Sequence, residues 1–222
     1  MDVLATRVLK YRNDHGSERD VTLTLFAPSR TEHDWQCGFQ FSPPANQKIV
    51  HVYGVDILQA IVGCLKVARG YIEHPTEQRS SWQGMSHSGL PWHAEKPASY
   101  HPPDVPPPQE FPADLDVLAT RKLGYRDATT GTHSLVLTVY KPLQAKDDVW
   151  RCAFGLGSSE CTQVRYGRGA DMIEALLNAL ALARAAYEAA APKDSVASES
   201  SDFFDCSDLP YSIGRAYFTD PA

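Results

Sequence analysis

Apolar and polar positions alternate along the start of the chain: Ala5, Arg7, Leu9 and Tyr11 share one side of an extended segment, and Leu4, Thr6, Val8 and Lys10 share the other. That spacing predicts a strand over residues 3–12, followed by a turn at Asn13-Asp14-His15-Gly16, where glycine supplies a positive φ at little cost. Val21, Leu23 and Leu25 then alternate with Thr22 and Thr24, which predicts a half-buried second strand ended by Pro28. Trp35, Cys37, Phe39 and Phe41 line one face of a third run, and residues 48–53 form a fourth. The period then changes from 2 to 3.6. After Asp56, apolar side chains fall at Leu58, Ile61, Val62, Leu65 and Ile72, the stripe of an amphipathic helix. Asp56 with Gln59 three residues on has the form of a capping box, with Gly54 where the chain leaves the strand.

The same pattern then returns. Residues 2–7 (Asp-Val-Leu-Ala-Thr-Arg) recur unchanged as residues 116–121, and Leu9, Tyr11 and Arg12 recur as Leu123, Tyr125 and Arg126. Leu135, Leu137 and Val139 repeat the second strand, ended by Pro142; Trp150, Cys152, Phe154 and Leu156 repeat the third, and residues 163–168 the fourth. Gly169, Asp171 and Glu174 repeat the helix start, and Ile173, Leu176, Leu177, Leu180 and Tyr187 the stripe. Even Leu90-Pro91-Trp92 has a counterpart in Leu209-Pro210-Tyr211. A repeat this long means one domain duplicated rather than a solenoid.

The predicted class is therefore α+β: two tandem ββββα repeats, each a four-stranded antiparallel meander with one helix on one face and a mostly polar opposite face. A single helix over a single sheet makes a thin domain, so the two copies are expected to dock with pseudo-two-fold symmetry, a pseudo-dimer within a monomeric chain. The expected boundaries are 1–92 for the first repeat, 93–114 for a semi-rigid proline-rich linker, and 115–222 for the second repeat. Within the last, residues 189–208 turn Ala-rich and then acidic and Ser-rich, which predicts a mobile segment. Its Asp202-Phe203-Phe204-Asp205 has the form of a docking peptide, although packing of the aromatics against their own domain is the simpler expectation.

Charge narrows the classes of function. The chain has 21 basic and 27 acidic residues for a net charge of -6, with no basic stripe for a phosphate backbone. Nucleic acid is not an expected partner; an acidic surface suits a basic protein. The first residues lack a basic region followed by an apolar run, and no apolar stretch reaches the length of a membrane span. Five cysteines without CxxC spacing argue against a disulfide framework, and a cytoplasmic protein is the natural expectation.

Candidate chemistry is sparse. His87, His93 and His101 have no carboxylate or thiol placed to complete a tetrahedron, and no metal or cofactor is expected. Cys37 and Cys152 fall on the inward face beside Trp35 and Trp150, where a thiol is inert. No phosphate loop, nucleophile elbow or zinc-protease motif occurs, and a phosphate at the helix after Gly167-Arg168-Gly169 would meet Asp171. Asp56 and Asp171 are explained as helix caps. Arg7 and Arg121, each on an apolar face, need partners, and the expected pairs are Arg7 with Asp56 and Arg121 with Asp171.

The segments Ala5-x-Arg7-x-Leu9, Trp35-x-Cys37 and Gly54-x-Asp56-x-x-Gln59-Ala60, with their counterparts at 119–123, 150–152 and 169–175, resemble a small uncharacterised bacterial domain of unknown function, here in tandem duplication. The resemblance implies a fold and carries no catalytic residues. The expected function is that of a non-enzymatic bacterial protein-binding module. Its sharpest form is an immunity protein that neutralises a secreted antibacterial toxin by occluding the active site. The alternatives are a secretion chaperone or adaptor for an effector, and an enzyme with a site between the repeats. If binding is the function, the surface should lie where the copies diverge. The fourth strand carries His51 and Tyr53 in one copy and Arg165 and Arg168 in the other, and a meander leaves an edge open there.

Overall fold

The structure is a computed structural model that describes residues 1–12, 15–42, 48–73, 80–81, 87–91, 102–110, 114–127, 131–145, 148–157, 163–191, 196–197 and 209–210. The chain forms two compact units, Met1–Glu95 and Lys96–Ala222. Both are antiparallel sheets carrying one helix, so the class is α+β.

In the first unit, β1 (Val3–Arg12) and β2 (Glu18–Phe26) form a hairpin around Gly16, whose φ of 77° is open to glycine without strain. A short β3 (Ser29–Arg30) pairs with the start of β4 (Trp35–Ser42), which lies between β2 and β5 (Val50–Gly54). After helix α1 (Ile57–Ile72), β6 (Ser80–Ser81) returns to the free side of β1. The second unit repeats this with β8 (Val117–Asp127), β9 (Gly131–Tyr140), β10 (Leu143–Gln144), β11 (Trp150–Gly157), β12 (Gln163–Gly169) and α2 (Met172–Ala190), and β13 (Val196–Ala197) returns to β8. It also has β7 (Gln109–Glu110), drawn from the segment before it and paired with β12.

Among the described residues the sheets are thus of six and seven strands, not four. The added strands are two residues long, too short for an alternating pattern to reveal them. Both first strands carry a register shift, between Val3 and Ala5 and between Val117 and Ala119. The extra residue lets Leu4 turn inward beside Ala5, a bulge that simple alternation does not foresee.

The core lies between sheet and helix. Leu9, Leu23, Leu25, Cys37 and Phe39 meet Leu58, Ile61, Leu65 and Ala68 in the first unit. Gly54 sets how closely the helix start can approach: a Cβ there would collide with the Ala60 amide nitrogen, and Gly169 stands in the same relation to Ala175. α1 keeps an exposed side, whereas α2 is buried nearly all round, its polar Glu174, Asn178 and Arg184 included.

The proline-rich segment is not only a linker. Its residues 102–110 belong to the second unit, where β7 lies along the outer edge of β12 and the Arg165 guanidinium donates to Pro106 O at 3.1 Å. Nor is the far face of the second sheet polar. Tyr140, Ala153 and Val164 form a buried cluster there with Leu115 and Tyr166 packed against it. Among the described residues, no helix is long and apolar enough to cross a membrane.

Candidate functional site

Each helix start is built as a cap. Asp56 Oδ1 accepts from Gln59 N at 2.7 Å, and Gln59 Oε1 accepts from Val55 N at 2.8 Å. Asp171 and Glu174 repeat this with Glu174 N at 2.7 Å and Ala170 N at 2.6 Å. The returning bond reaches the residue before the cap, one position further back than in the usual capping box. One orphan amide of each helix, that of its third residue, and the amide preceding the cap are thereby paired with side chains, and a carboxylate sits at the positive end of the helix dipole.

Arg7 lies far from that cap. Its register runs to Leu23 on β2 and on to Phe41 on β4, whereas Asp56 follows Gly54, which pairs with Trp35 at the other end of β4. Three strand spacings and six residues of strand separate them, about 14 Å across the sheet and about 20 Å along it. Arg121 and Asp171 are separated in the same way by Leu137, Leu156, Trp150 and Gly169. The expected strand-to-cap pairs are therefore corrected: the arginines sit toward the opposite end of the helix, which at 1.5 Å per residue covers that distance.

A network that the sequence reading missed occupies that end. Arg7, 1% exposed, donates from Nη1 to Ser88 O at 3.0 Å. The Ser88 amide donates to Glu73, and Glu73 Oε2 accepts from Arg69 Nε at 2.6 Å. Arg69 Nη1 donates in turn to Leu90 O at 2.6 Å. The chain following the helix is thus clamped between two guanidinium groups and a carboxylate, with Leu90 and Pro91 buried. The second unit repeats the lower half: Arg184 Nε donates to Glu188 at 2.9 Å, and Arg184 Nη1 donates to Leu209 O at 2.7 Å. The signal was present in the repeat, since the alignment that pairs Asp56 with Asp171 also pairs Arg69 with Arg184 and Glu73 with Glu188. It was hidden because an i,i+4 pair of opposite charges on a helix ordinarily reads as a solvated face.

The thiols among the described residues are shut away. Cys37, Cys64 and Cys152 are free and buried. The Cys64 thiol is pushed up first by its hydrogen-bonding contact with Cys37 and then by burial, and Cys152 is pushed up by burial. Thiolate, the reactive form, is disfavoured at both. His87 Nδ1 accepts from the Gly89 amide at 3.1 Å, which fixes the loop, while His93 and His101 lie outside the described residues. Among the described residues, no group of three or more His, Cys, Asp or Glu side chains could hold a metal ion.

The fourth strands differ in surroundings as well as sequence. On β5, His51 and Tyr53 are exposed, and among the described residues no strand lies beyond it. On β12, Arg168 is exposed but Arg165 is half-buried against Pro106, and β7 occupies the edge. Burial pushes the nearby Tyr166 phenol up; Arg151 opposes the shift and Asp114 adds to it. Asp202, Phe203, Phe204 and Asp205 lie outside the described residues.

No curated protein matches the chain, and no solved structure does. Residues 5–92 and 119–197 each match one family, so the recurring strand arginines, Trp-x-Cys runs and helix caps mark a tandem pair of its domains: the chain belongs to the family described as Domain of unknown function (DUF6968).

Proposed function

We propose that this chain is a non-enzymatic bacterial protein-binding module, in its sharpest form an immunity protein that neutralises a secreted toxin by occluding its active site. One observation carries the reading: the polar side chains common to both copies are spent on the fold. Asp56 and Asp171 cap helices, the arginine–glutamate pairs clamp the chain after each helix, and the thiols are buried. What differs between the copies, by contrast, is displayed on the sheet edge, where His51 and Tyr53 are exposed. The net charge of -6 favours a basic partner and steers its approach.

The test is isolation of the full chain from its own bacterium by a mild affinity step, followed by measurement of stoichiometry and salt dependence. An equimolar complex with a basic protein whose toxicity the chain suppresses is the expected result. Its association rate should fall as added salt shortens the Debye length from about 10 Å at 0.1 M to about 3 Å at 1 M. Turnover of a small molecule by the purified chain, with no equimolar partner, would overturn the reading.

A further inference from the structure

The two sheet edges occupy equivalent positions: β7 lies along that of the second unit, and among the described residues no strand pairs with that of the first. The ladder between β4 and β5 ends at the pair Phe39–Val50, and the ladder between β11 and β12 ends at the equivalent pair Phe154–Arg165. Yet β12 begins two residues earlier than β5. Those residues, Gln163 and Val164, pair with Glu110 and Gln109 of β7. Their counterparts, Lys48 and Ile49, belong to no strand, and Lys48 is exposed. The extra strand length in the second unit is made by the segment laid against it.

A second observation comes from the sheet face beside this edge. In the second unit Tyr140, Ala153 and Val164 are buried, finished by Leu115 from the same stretch of chain that supplies β7. The corresponding positions in the first unit are Phe26, Gly38 and Ile49. Phe26 and Ile49 remain half-buried, and His51, in the place of Tyr166, is exposed. The patch is nonetheless packed. A Cβ on Gly38 would stand 2.9 Å from Ile49 Cγ2 and 3.5 Å from both Phe26 Cδ2 and His51 Nδ1, so these side chains close around the glycine. Ala153 and Val164 are the matching smaller-for-larger exchange on the other sheet. The volume at the site is kept while its cover is missing among the described residues.

We propose that the edge of the first unit at Lys48–Ile49, with the half-buried Phe26–Gly38–Ile49–His51 patch beside it, binds an extended proline-rich segment of a partner protein by strand addition. This rests on the protein-binding reading and assigns it a site and a peptide class. The occupant's chemistry is read from the one already seated on the sister edge. Residues 102–110 run Pro-Pro-Asp-Val-Pro-Pro-Pro-Gln-Glu and join the sheet through their last two residues only. Prolines hold the remainder extended before binding, so little chain entropy is lost on docking, and they leave few amides unpaired. An apolar residue a few positions later, as Leu115 is, covers the patch. Charge adds a preference. Lys48 stands where Gln163 faces Glu110, so an acidic residue at that position of the peptide meets an ammonium in the first unit.

The experiment is a titration of the isotope-labelled full chain with a peptide of the sequence of residues 102–116, followed by amide chemical shifts. The in-chain segment keeps β12 filled, because its tether gives it an effective concentration of order millimolar. Saturable shifts at Lys48–Gly54 and Phe26, with β12 unmoved, are expected at peptide concentrations up to a few millimolar. Successive backbone N–H groups point to opposite sides of a strand. One of Lys48→Pro and Ile49→Pro should therefore weaken binding at least tenfold and the other less than about threefold, a split that misfolding does not produce. Lys48→Glu should also weaken it, and a peptide with lysine in place of its Glu110 equivalent should recover the loss. Absence of saturable shifts overturns the proposal, as does equal binding by both proline variants. Shifts that depend on protein concentration without peptide also overturn it, by assigning the edge to a second copy of the chain. A partner complex that forms undiminished with both proline variants would remove this site while leaving the protein-binding reading intact.

Discussion

Replacing Glu73 by glutamine tests the clamp at the end of α1. The carboxylate accepts from Arg69 Nε at 2.6 Å and from the buried Ser88 amide, and its side chain is 10% exposed while that of Arg69 is 20% exposed. Glutamine keeps the shape and one acceptor oxygen but removes the charge that faces a guanidinium held out of water. Breaking a buried pair by removing one partner costs about 3–5 kcal/mol; partial exposure and the retained amide acceptor bring the expected loss to about 2–3 kcal/mol. For a unit of this size each kcal/mol corresponds to about 4–8 °C in Tm, so a fall of about 10–20 °C is expected. Glu188 offers an internal control, because its side chain is 25% exposed and Glu188→Gln should cost about 1 kcal/mol. Hydrogen exchange followed by mass spectrometry in increasing urea resolves the two units within the intact chain. The expected outcome is early loss of protection across Met1–Glu95 for Glu73→Gln and a smaller shift confined to Lys96–Ala222 for Glu188→Gln. Equal losses, or a Glu73→Gln chain within about 0.5 kcal/mol of the parent, would refute the idea that the clamp is a buried charge pair.

Two further outcomes follow from the packing. Gly54→Ala drives a Cβ into the Ala60 amide and lies 2.9 Å from the Gln59 carbonyl carbon, whereas a Cβ at Gly70 meets nothing within 4 Å. Urea denaturation should show Gly54→Ala destabilised by about 3 kcal/mol or more and Gly70→Ala stabilised by about 0.5–1 kcal/mol, the helix-propensity gain. The thiols set a pH dependence. Cys64 and Cys152 have raised pKa values in the folded chain, so the folded state keeps protons that the unfolded state releases above about pH 8.5. Their contribution is fully present below that pH and is lost as pH rises, by up to about 1.4 kcal/mol per unit for each thiol. Stability curves from pH 7 to 10 should flatten for Cys152→Ala relative to the parent; an unchanged slope would show that the thiol is not shielded.

The residues themselves carried the duplication, the α+β class, the main ladder strands, both helices and both caps. Each of these depends on neighbours close in sequence. Alternation over Val21, Leu23 and Leu25 needs only a pleat, the stripe Leu58–Ile61–Leu65 only 3.6 residues per turn, and Asp56 with Gln59 only a single helical turn. Pairing across the fold was not legible. Arg7 is expected at the helix start because an arginine on an apolar face needs a partner, yet the strand order β1-β2-β4-β5 carries it and Asp56 to opposite corners and brings Ser88 and the Glu73 clamp to Arg7 instead. The same holds for the proline-rich segment. Its composition specifies an extended chain, but only the edge of β12 and the apolar cluster at Val164 turn part of it into a strand. Local periodicity fixes which residues point inward; strand order and the reach of the connecting segments fix what they meet, because two residues far apart in sequence become neighbours only after every ladder between them has formed.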